Sequence, residues 1–206
     1  MIHQDHRLSR NTWRLAGFVL LGSLLFLPGC QQQTGEEAPP GERVENPNVG
    51  IAIAALPSFF AVESNEGEQI ALVPADGTTP GRLLVQAGPA ESGGINLVAA
   101  VQAHADSIRD DFGGQYKGQN ELGSHLGTAF YSRGQYDDDG GQTTEETVIF
   151  LVHPWGDRTL QLIYRYPPGE DSKARLEDQL FEVLGELEPL DQSPAPEASS
   201  EESTEG

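Results

Sequence analysis

The residue of this chain most clearly placed for covalent chemistry is Cys30, the one cysteine among 206 residues. A single thiol can form no disulfide within the chain, and it cannot assemble a cysteine-rich zinc site. The residues Leu27-Pro28-Gly29 come directly before it and end a long apolar segment. Modification of the thiol itself is therefore the chemistry to consider, and the preceding segment indicates which modification to expect.

The segment before the cysteine has the layout of an export signal. Its first part carries Arg7, Arg10 and Arg14 against a single acid, Asp5, and is followed by the uncharged apolar run Leu15–Leu27. Thirteen residues of helix rise roughly 20 Å, which is short of a hydrocarbon core about 30 Å thick. A basic region followed by a short apolar region is typical of an export signal rather than of a membrane-spanning helix.

The sequence Leu27-Pro28-Gly29-Cys30 resembles the lipobox of bacterial lipoproteins. The resemblance implies that Cys30 is the lipid attachment residue, that the chain is cleaved before it, and that its new amino group is acylated. Two or more acyl chains would anchor the protein stably in a membrane. Gln31 rather than Asp follows, which by the same resemblance favours the periplasmic face of an outer membrane in a source with two membranes. The alternative is an uncleaved N-terminal anchor with an incidental cysteine.

The charge of the chain excludes one large class of partner. Asp and Glu outnumber Lys and Arg by 32 to 12, a net charge of −20. Removal of the signal would make the remaining chain more acidic still, because the signal carries three arginines and one acid. Nucleic acid is excluded as a partner, since a phosphate backbone repels such a surface. Adsorption to anionic lipid by charge alone is disfavoured for the same reason.

Composition divides the chain into four segments. After the signal of residues 1–29, residues 30–47 are rich in proline and polar residues and are expected to form a flexible tether. Residues 191–206 contain five acids and no base, and are expected to form a disordered acidic tail. Between them, residues 48–190 are long enough for one domain with a single core.

Short apolar runs separated by turn residues predict three strands at the start of this domain, Val49–Leu56, Gln69–Val73 and Arg82–Gln86. The short connections indicate that the three strands pair as an antiparallel meander. The apolar spacing then changes to a helical period over Asn96–Phe112, with Asn96 as a suitable N-cap and two glycines beyond the end.

Further strands and a second helix complete the domain. The strands are Gln119–Ser124, Leu126–Tyr136, Glu146–Val152 and Arg158–Tyr166. In the run Glu146–Val152, the residues that would point to either face of a strand are apolar. This pattern indicates an interior strand that is covered on both faces. The helix is marked by Leu176, Leu180, Val183, Leu184 and Leu187. Asp171 or Ser172 is its expected cap.

These elements predict an α+β fold with a largely antiparallel sheet of six to seven strands and two main helices. The run Val49–Ile53 with Pro57, the strand that contains Gly127, and the closing strand Leu160–Tyr166 with its helix to Leu190 follow a familiar order. In these features the chain resembles the PsbP-like superfamily. The resemblance implies an α/β/α sandwich, and it brings no catalytic apparatus and no cofactor with it.

The acidic turn Asp137-Asp138-Asp139 is a candidate for Ca²⁺, a hard cation that takes several oxygen ligands. An EF-hand loop that began at Asp137 would place Val148 where a bidentate Glu belongs, so that motif fails. A solvated hairpin tip is the favoured interpretation, and weak divalent binding in this turn is left open.

Other residues capable of chemistry give weak signals. His104, His125 and His153 are too far apart in sequence to form a local metal-ligand pair. The segment around Ser92 lacks the first glycine of a nucleophile turn. Trp155 lies in a predicted turn, where it is expected to cover the edge of the core or, alternatively, to contact a partner.

The sequence therefore predicts a lipid-anchored protein of the cell envelope that is not an enzyme. Its expected role is that of an accessory or protein-binding module, with an envelope protein as partner and acyl chains as the link to the membrane. The alternative is a protein that binds a small ligand or a divalent metal in a pocket between sheet and helix.

Overall fold

The strands of the domain form two antiparallel sheets, and two helices lie against them. The computed structural model describes residues 41–191. The strands are β1 (Val44–Asn46), β2 (Ile51–Ile53), β3 (Phe60–Glu66), β4 (Gln69–Pro74), β5 (Arg82–Ala87), β6 (Gln115–Ser124), β7 (Gly127–Asp137), β8 (Thr143–Val152), β9 (Thr159–Tyr166) and β10 (Leu187–Pro189). The helices are α1 (Leu97–Asp106), which continues into a π-helical turn (Ser107–Asp111), and α2 (Glu170–Gly185).

The larger sheet contains seven strands in the order β3-β4-β5-β9-β8-β7-β6. Every neighbouring pair is antiparallel. Two meanders, β3-β4-β5 and β6-β7-β8-β9, are joined where β5 pairs with β9, and α1 connects them in the chain. The predicted α+β class with a largely antiparallel sheet and two helices is confirmed.

The smaller sheet contains β1, β2 and β10, with β2 in the middle. Ile51 and Ile53 of β2 are fully buried. The prediction that Val49–Leu56 forms the first strand of a meander was wrong, because this segment pairs with β1 and β10 instead of with the next strand. The meander of the large sheet begins at Phe60, with β3, which was not predicted as a strand from the sequence.

The two ends of the predicted domain also differ from the structure. Val44 lies within the expected tether of residues 30–47, yet it is buried and pairs with Ile53. Leu187 was assigned to the last helix, but α2 ends at Gly185 and Leu187 belongs to β10, where it also pairs with Ile53. The small sheet therefore joins segments from both ends of the described chain.

The layers enclose two apolar clusters on opposite faces of the large sheet. The larger cluster contains the small sheet and α2, and its helix residues Leu180 and Val183 are fully buried. Each such side chain contributes roughly 1.5–3 kcal/mol by burial. The smaller cluster lies under α1, where Val101 packs against Val148 and Phe150. The order of layers is therefore the expected α/β/α sandwich.

The first helix ends close to where its pattern predicts. The Asn96 side chain accepts a hydrogen bond from the backbone N–H of Ala99 at 3.1 Å, so Asn96 caps α1 as expected. The helix widens into its π-helical turn where Ile108 lies on Gly134; a Cβ on Gly134 would be 2.6 Å from Ile108. Within residues 41–191, neither helix is long and apolar enough to cross a membrane.

Candidate functional site

The face of the large sheet that meets α1 carries three cross-strand rows of side chains. The first row runs Gln69, Gln86, Gln161, Phe150 and Phe130. The second runs Ala71, Leu84, Ile163, Val148 and Ser132. The third runs Arg82, Arg165, Glu146 and Gly134. Each row reaches from the half of the face formed by β5 and β9 to the half formed by β8 and β7.

Helix α1 covers one half of this face. It packs on β7 and β8, and Val101 is fully buried there. On β5 and β9, Leu84 and Ile163 remain partly exposed, although Ile163 also packs against the cluster under α1. We call the second half the open face and define it by the residues of β4, β5 and β9 in the three rows that are at least partly exposed: Gln69, Arg82, Leu84, Gln86, Gln161, Ile163 and Arg165. Ala71, in the central row, is fully buried.

A buried polar cluster lies under α1 at the border of the open face. Its centre is Glu146, whose side chain is 6% exposed. His104 Nε2 lies 3.0 Å from Oε1, while Arg165 Nε at 2.5 Å and the Tyr136 hydroxyl at 3.3 Å donate to Oε2. Burial alone would raise the pKa of Glu146, but the hydrogen bonds from His104 and Arg165 outweigh it and lower the pKa. The carboxylate is therefore held in its ionised form.

The same cluster brings a serine, a histidine and a carboxylate together. His104 Nδ1 lies 2.8 Å from Ser132 Oγ, and its other nitrogen contacts Glu146. These are the residue types of a hydrolase triad, but a nucleophile has to be presented to substrate, as on a sharp turn. Ser132 lies inside strand β7 and is fully buried. The arrangement satisfies buried polar groups and presents no accessible nucleophile.

Local sequence reasoning missed this cluster. His104 was considered with the other histidines of the sequence, whereas its partners come from β7 and β8. One signal was available: His104 follows buried Val101 by three residues and precedes buried Ile108 by four, so it faces the sheet with them. A second signal was Glu146, a carboxylate at the start of the predicted interior strand Glu146–Val152, where a buried charge needs a partner.

A groove adjoins the cluster where β9 ends and β5 begins. Its volume is about 560 Å³. It is lined by Pro80, Gly81, Arg82, Tyr136, Asp138, Gln142, Thr143, Thr144, Arg165, Tyr166 and Pro167. Arg82 Nε forms an ion pair with Glu63 at 2.6 Å, and Arg165 Nε donates to Glu146. Both arginine side chains are 48% exposed. The groove thus combines two cations with aromatic and proline walls.

A smaller crevice of about 290 Å³ separates α1 from the open face. Ala100, Ala103 and His104 of α1 form one wall. Phe150 and Ile163 of the sheet form part of the other. The crevice lies between sheet and helix, where the small-ligand alternative expected a pocket, but the larger groove is elsewhere.

Trp155 packs onto the domain instead of standing free. It is half-buried over Gly50, and its Nε1 donates to the carbonyl oxygen of Leu190 at 3.2 Å. Gly50 has φ +75°, and a Cβ there would lie 2.3 Å from the indole ring. Of the two expectations for Trp155, covering the edge of the core is the one that fits.

The other histidines also have partners within the protein. His153 Nε2–H donates to the carbonyl oxygen of Val49 at 2.6 Å, and Nδ1 accepts from the N–H of Trp155 at 3.1 Å. Burial lowers the pKa of His153, so the ring is neutral. His125 Nε2 lies 2.6 Å from the carbonyl oxygen of Leu187. Among the side chains that the structure describes, which exclude those of residues 170–176, no three His, Cys, Asp or Glu are grouped as a metal site.

The acidic turn forms the tip of the hairpin between β7 and β8. Asp138 Oδ1 accepts the N–H groups of Gly140 and Gln142, each at 2.9 Å, while Asp137 accepts from the Thr143 hydroxyl. This exposed turn matches the favoured interpretation. Ser92 lies exposed in the loop before α1. Cys30, the signal segment and residues 192–206 lie outside the described residues.

Comparison with known proteins supports the fold through structural similarity alone. No protein-family model matches the chain, and no curated protein matches its sequence. The solution structure of cyanobacterial PsbP (CyanoP) from Synechocystis matches with a TM-score of 0.52 and 8% identity, over 75% of this chain and 95% of that one. The Saccharomyces cerevisiae Ran-binding protein Mog1p matches with a TM-score of 0.49 and 15% identity, over 75% and 97%. The chain has a PsbP-like fold.

Proposed function

We propose that this protein is a lipid-anchored accessory protein of the cell envelope whose domain binds another envelope protein through the open face. The observation that carries the proposal is the open face itself: a part of the sheet that α1 leaves partly exposed, beside a part that it buries.

The composition of the open face supports a protein partner. An antiparallel sheet with one solvated face usually places polar residues there, yet the central row of this face presents partly exposed Leu84 and Ile163. The flanking rows supply glutamines and two arginines, and none of the seven residues is acidic. Protein interfaces are enriched in arginine and depleted in Asp and Glu. Acids lie at the border of the open face, where Glu66 pairs with Gln69 and Glu63 is ion-paired with Arg82.

A role without catalysis agrees with the polar cluster beside the open face. Ser132 is fully buried, and the Glu146 carboxylate is occupied by His104 and Arg165. These groups stabilise the junction between α1 and the sheet. They hold the helix to one side, which leaves the open face free for a partner.

Attachment to the membrane rests on the sequence around Cys30. The lipobox-like Leu27-Pro28-Gly29-Cys30 follows a basic region and a short apolar run. Replacement of Cys30 by Ser should abolish incorporation of labelled palmitate and leave an unprocessed precursor. A mutant that still takes up palmitate would exclude the assignment.

Site-specific photocrosslinking in the source cells tests the binding face. A photoreactive amino acid at Gln86 or Gln161 should give a discrete crosslinked species, and one at Glu182, exposed on α2, should not. Ile163→Glu should reduce the crosslink at Gln86 at least fivefold, while Val98→Glu, on the exposed side of α1, should leave it unchanged. Equal crosslinking from Glu182 and Gln86 would refute the proposed face.

A further inference from the structure

We infer that the groove beside the open face binds a monocarboxylate, which is held between Arg82 and Arg165. The groove lies where β9 ends and β5 begins, and its ligand has an apolar body attached to the carboxylate. This inference does not depend on the protein partner proposed above.

Arg165 is held in place by a buried carboxylate. Glu146 is 6% exposed and accepts from Nε of Arg165, while the arginine side chain itself is 48% exposed and lines the groove. His104 and Tyr136 hold Glu146 in turn. An arginine fixed through Nε presents its remaining N–H groups in a defined direction, which suits recognition of a carboxylate.

Arg82 lies directly opposite Arg165 on the neighbouring strand. Each guanidinium is already ion-paired at Nε, Arg165 with buried Glu146 and Arg82 with exposed Glu63, which limits the repulsion between the two arginines. Because Glu63 is exposed, the Arg82 side chain can adjust to a ligand. Two planar guanidinium groups on one wall match the two oxygens of a carboxylate.

The other walls define the rest of the ligand. Tyr136, Tyr166, Pro80 and Pro167 supply rings and aliphatic surface, and Thr143 and Thr144 add hydroxyl groups. A volume of about 560 Å³ falls within the usual range for small-molecule pockets.

The charges at the groove limit the charge of the ligand. Asp138 lines it, and Glu63 and Glu146 hold the two arginines. Three carboxylates beside two guanidinium groups give a local net charge of −1, so an anion would be held by directed hydrogen bonds from the arginines and not by an excess of positive charge. A single negative charge is therefore favoured over a phosphate dianion.

A free carboxylic acid and the C-terminus of a peptide offer the same chemistry. The experiment titrates the full-length chain in detergent with benzoate, its neutral analogue benzamide, and phenyl phosphate, and follows backbone amide resonances by NMR. We expect saturable shifts at Arg82, Thr144 and Arg165 with benzoate, and at least tenfold weaker binding of benzamide and phenyl phosphate. Short peptides ending in phenylalanine, with a free or an amidated C-terminus, distinguish the two sources.

The matched variants are Arg82→Gln and Arg43→Gln. Each removes one exposed, ion-paired arginine, but Arg43 pairs with Glu45 and Glu188 at the small sheet. Arg82→Gln should weaken benzoate or peptide-carboxylate binding at least tenfold, and Arg43→Gln should leave it unchanged. Equal binding of carboxylates and their amides, or no effect of Arg82→Gln, would overturn the inference. Loss of carboxylate binding with the crosslink at Gln86 intact would leave the protein-binding proposal standing.

Discussion

Arg165 and Glu146 face each other across β9 and β8, and Arg165 Nε lies 2.5 Å from Glu146 Oε2. The two side chains differ sharply in exposure, at 48% for the arginine and 6% for the carboxylate. One ion pair thus links the buried cluster beneath α1 to the groove at the edge of the open face. A change at buried Glu146 should therefore also alter the position of Arg165 in the groove, because the ion pair holds that side chain in place.

Replacement of Glu146 by Gln should lower the free energy of unfolding by about 1–3 kcal/mol, because the change removes a charge that His104 and Arg165 surround. Urea unfolding at neutral pH measures the effect. Glu145→Gln is the matched control, since the Glu145 side chain points to the other face of the same strand and is partly exposed. It should change stability by less than about 0.5 kcal/mol. A loss from Glu146→Gln no larger than that of the control would contradict the assigned role.

Stability should also fall in acid through Glu146. The folded-state pKa of this carboxyl lies below its ordinary value of 4.5, because hydrogen bonds from His104 and Arg165 outweigh burial. Its stabilising contribution is therefore complete above about pH 4.5 and is lost as pH falls through the folded-state pKa. The difference in unfolding free energy between wild type and Glu146→Gln should shrink from pH 7 to pH 3. A difference that stays constant over this range would refute the linkage.

The elements that sequence reasoning predicted well have a strong local pattern. Asn96 was identified as a cap because an amide side chain preceded a helical apolar stripe, and its hydrogen bond to Ala99 is present. The strand that contains Glu146–Val152 was predicted to lie inside the sheet because apolar residues occupy both of its faces, and β8 does lie between β7 and β9. Leu187 was misassigned because its three-residue spacing from Leu184 continues the helical stripe, although the chain turns there into β10.

The parts that could not be predicted depend on contacts between distant segments. The small sheet joins β2 to β10, which pair Ile53 with Leu187 across more than half of the chain, and each strand has only three residues. No local periodicity marks such short strands. The site has the same origin: His104 meets Glu146 across 42 residues, from a helix and a strand. Arg82 and Arg165 become neighbours only once β5 pairs with β9.

Gly50→Ala should destabilise the domain by roughly 2–4 kcal/mol, because the new Cβ would meet the Trp155 ring at 2.3 Å and φ is +75°. Thermal unfolding with a urea series measures the loss. Gly67→Ala provides the comparison, since its φ of +59° carries the same strain but nothing lies within 4 Å of the added Cβ. It should cost about 1 kcal/mol. Trp155→Ala in the Gly50→Ala background should recover part of the difference, and additive effects of the two substitutions would contradict the contact.

Tyr164→Phe should leave the free energy of unfolding unchanged or raise it by up to about 1 kcal/mol, because the substitution removes a buried hydroxyl without a partner. Tyr164 is fully buried, and its hydroxyl oxygen has no hydrogen-bond partner within the part of the chain that the structure describes. The paired control is Tyr131→Phe, whose hydroxyl donates to Glu177 at 2.7 Å. That substitution should cost about 1–2 kcal/mol, since it leaves a carboxylate with one donor fewer. Urea unfolding of both variants decides the matter: a loss at Tyr164 equal to the loss at Tyr131 would mean that the buried hydroxyl is satisfied, for instance by an ordered water.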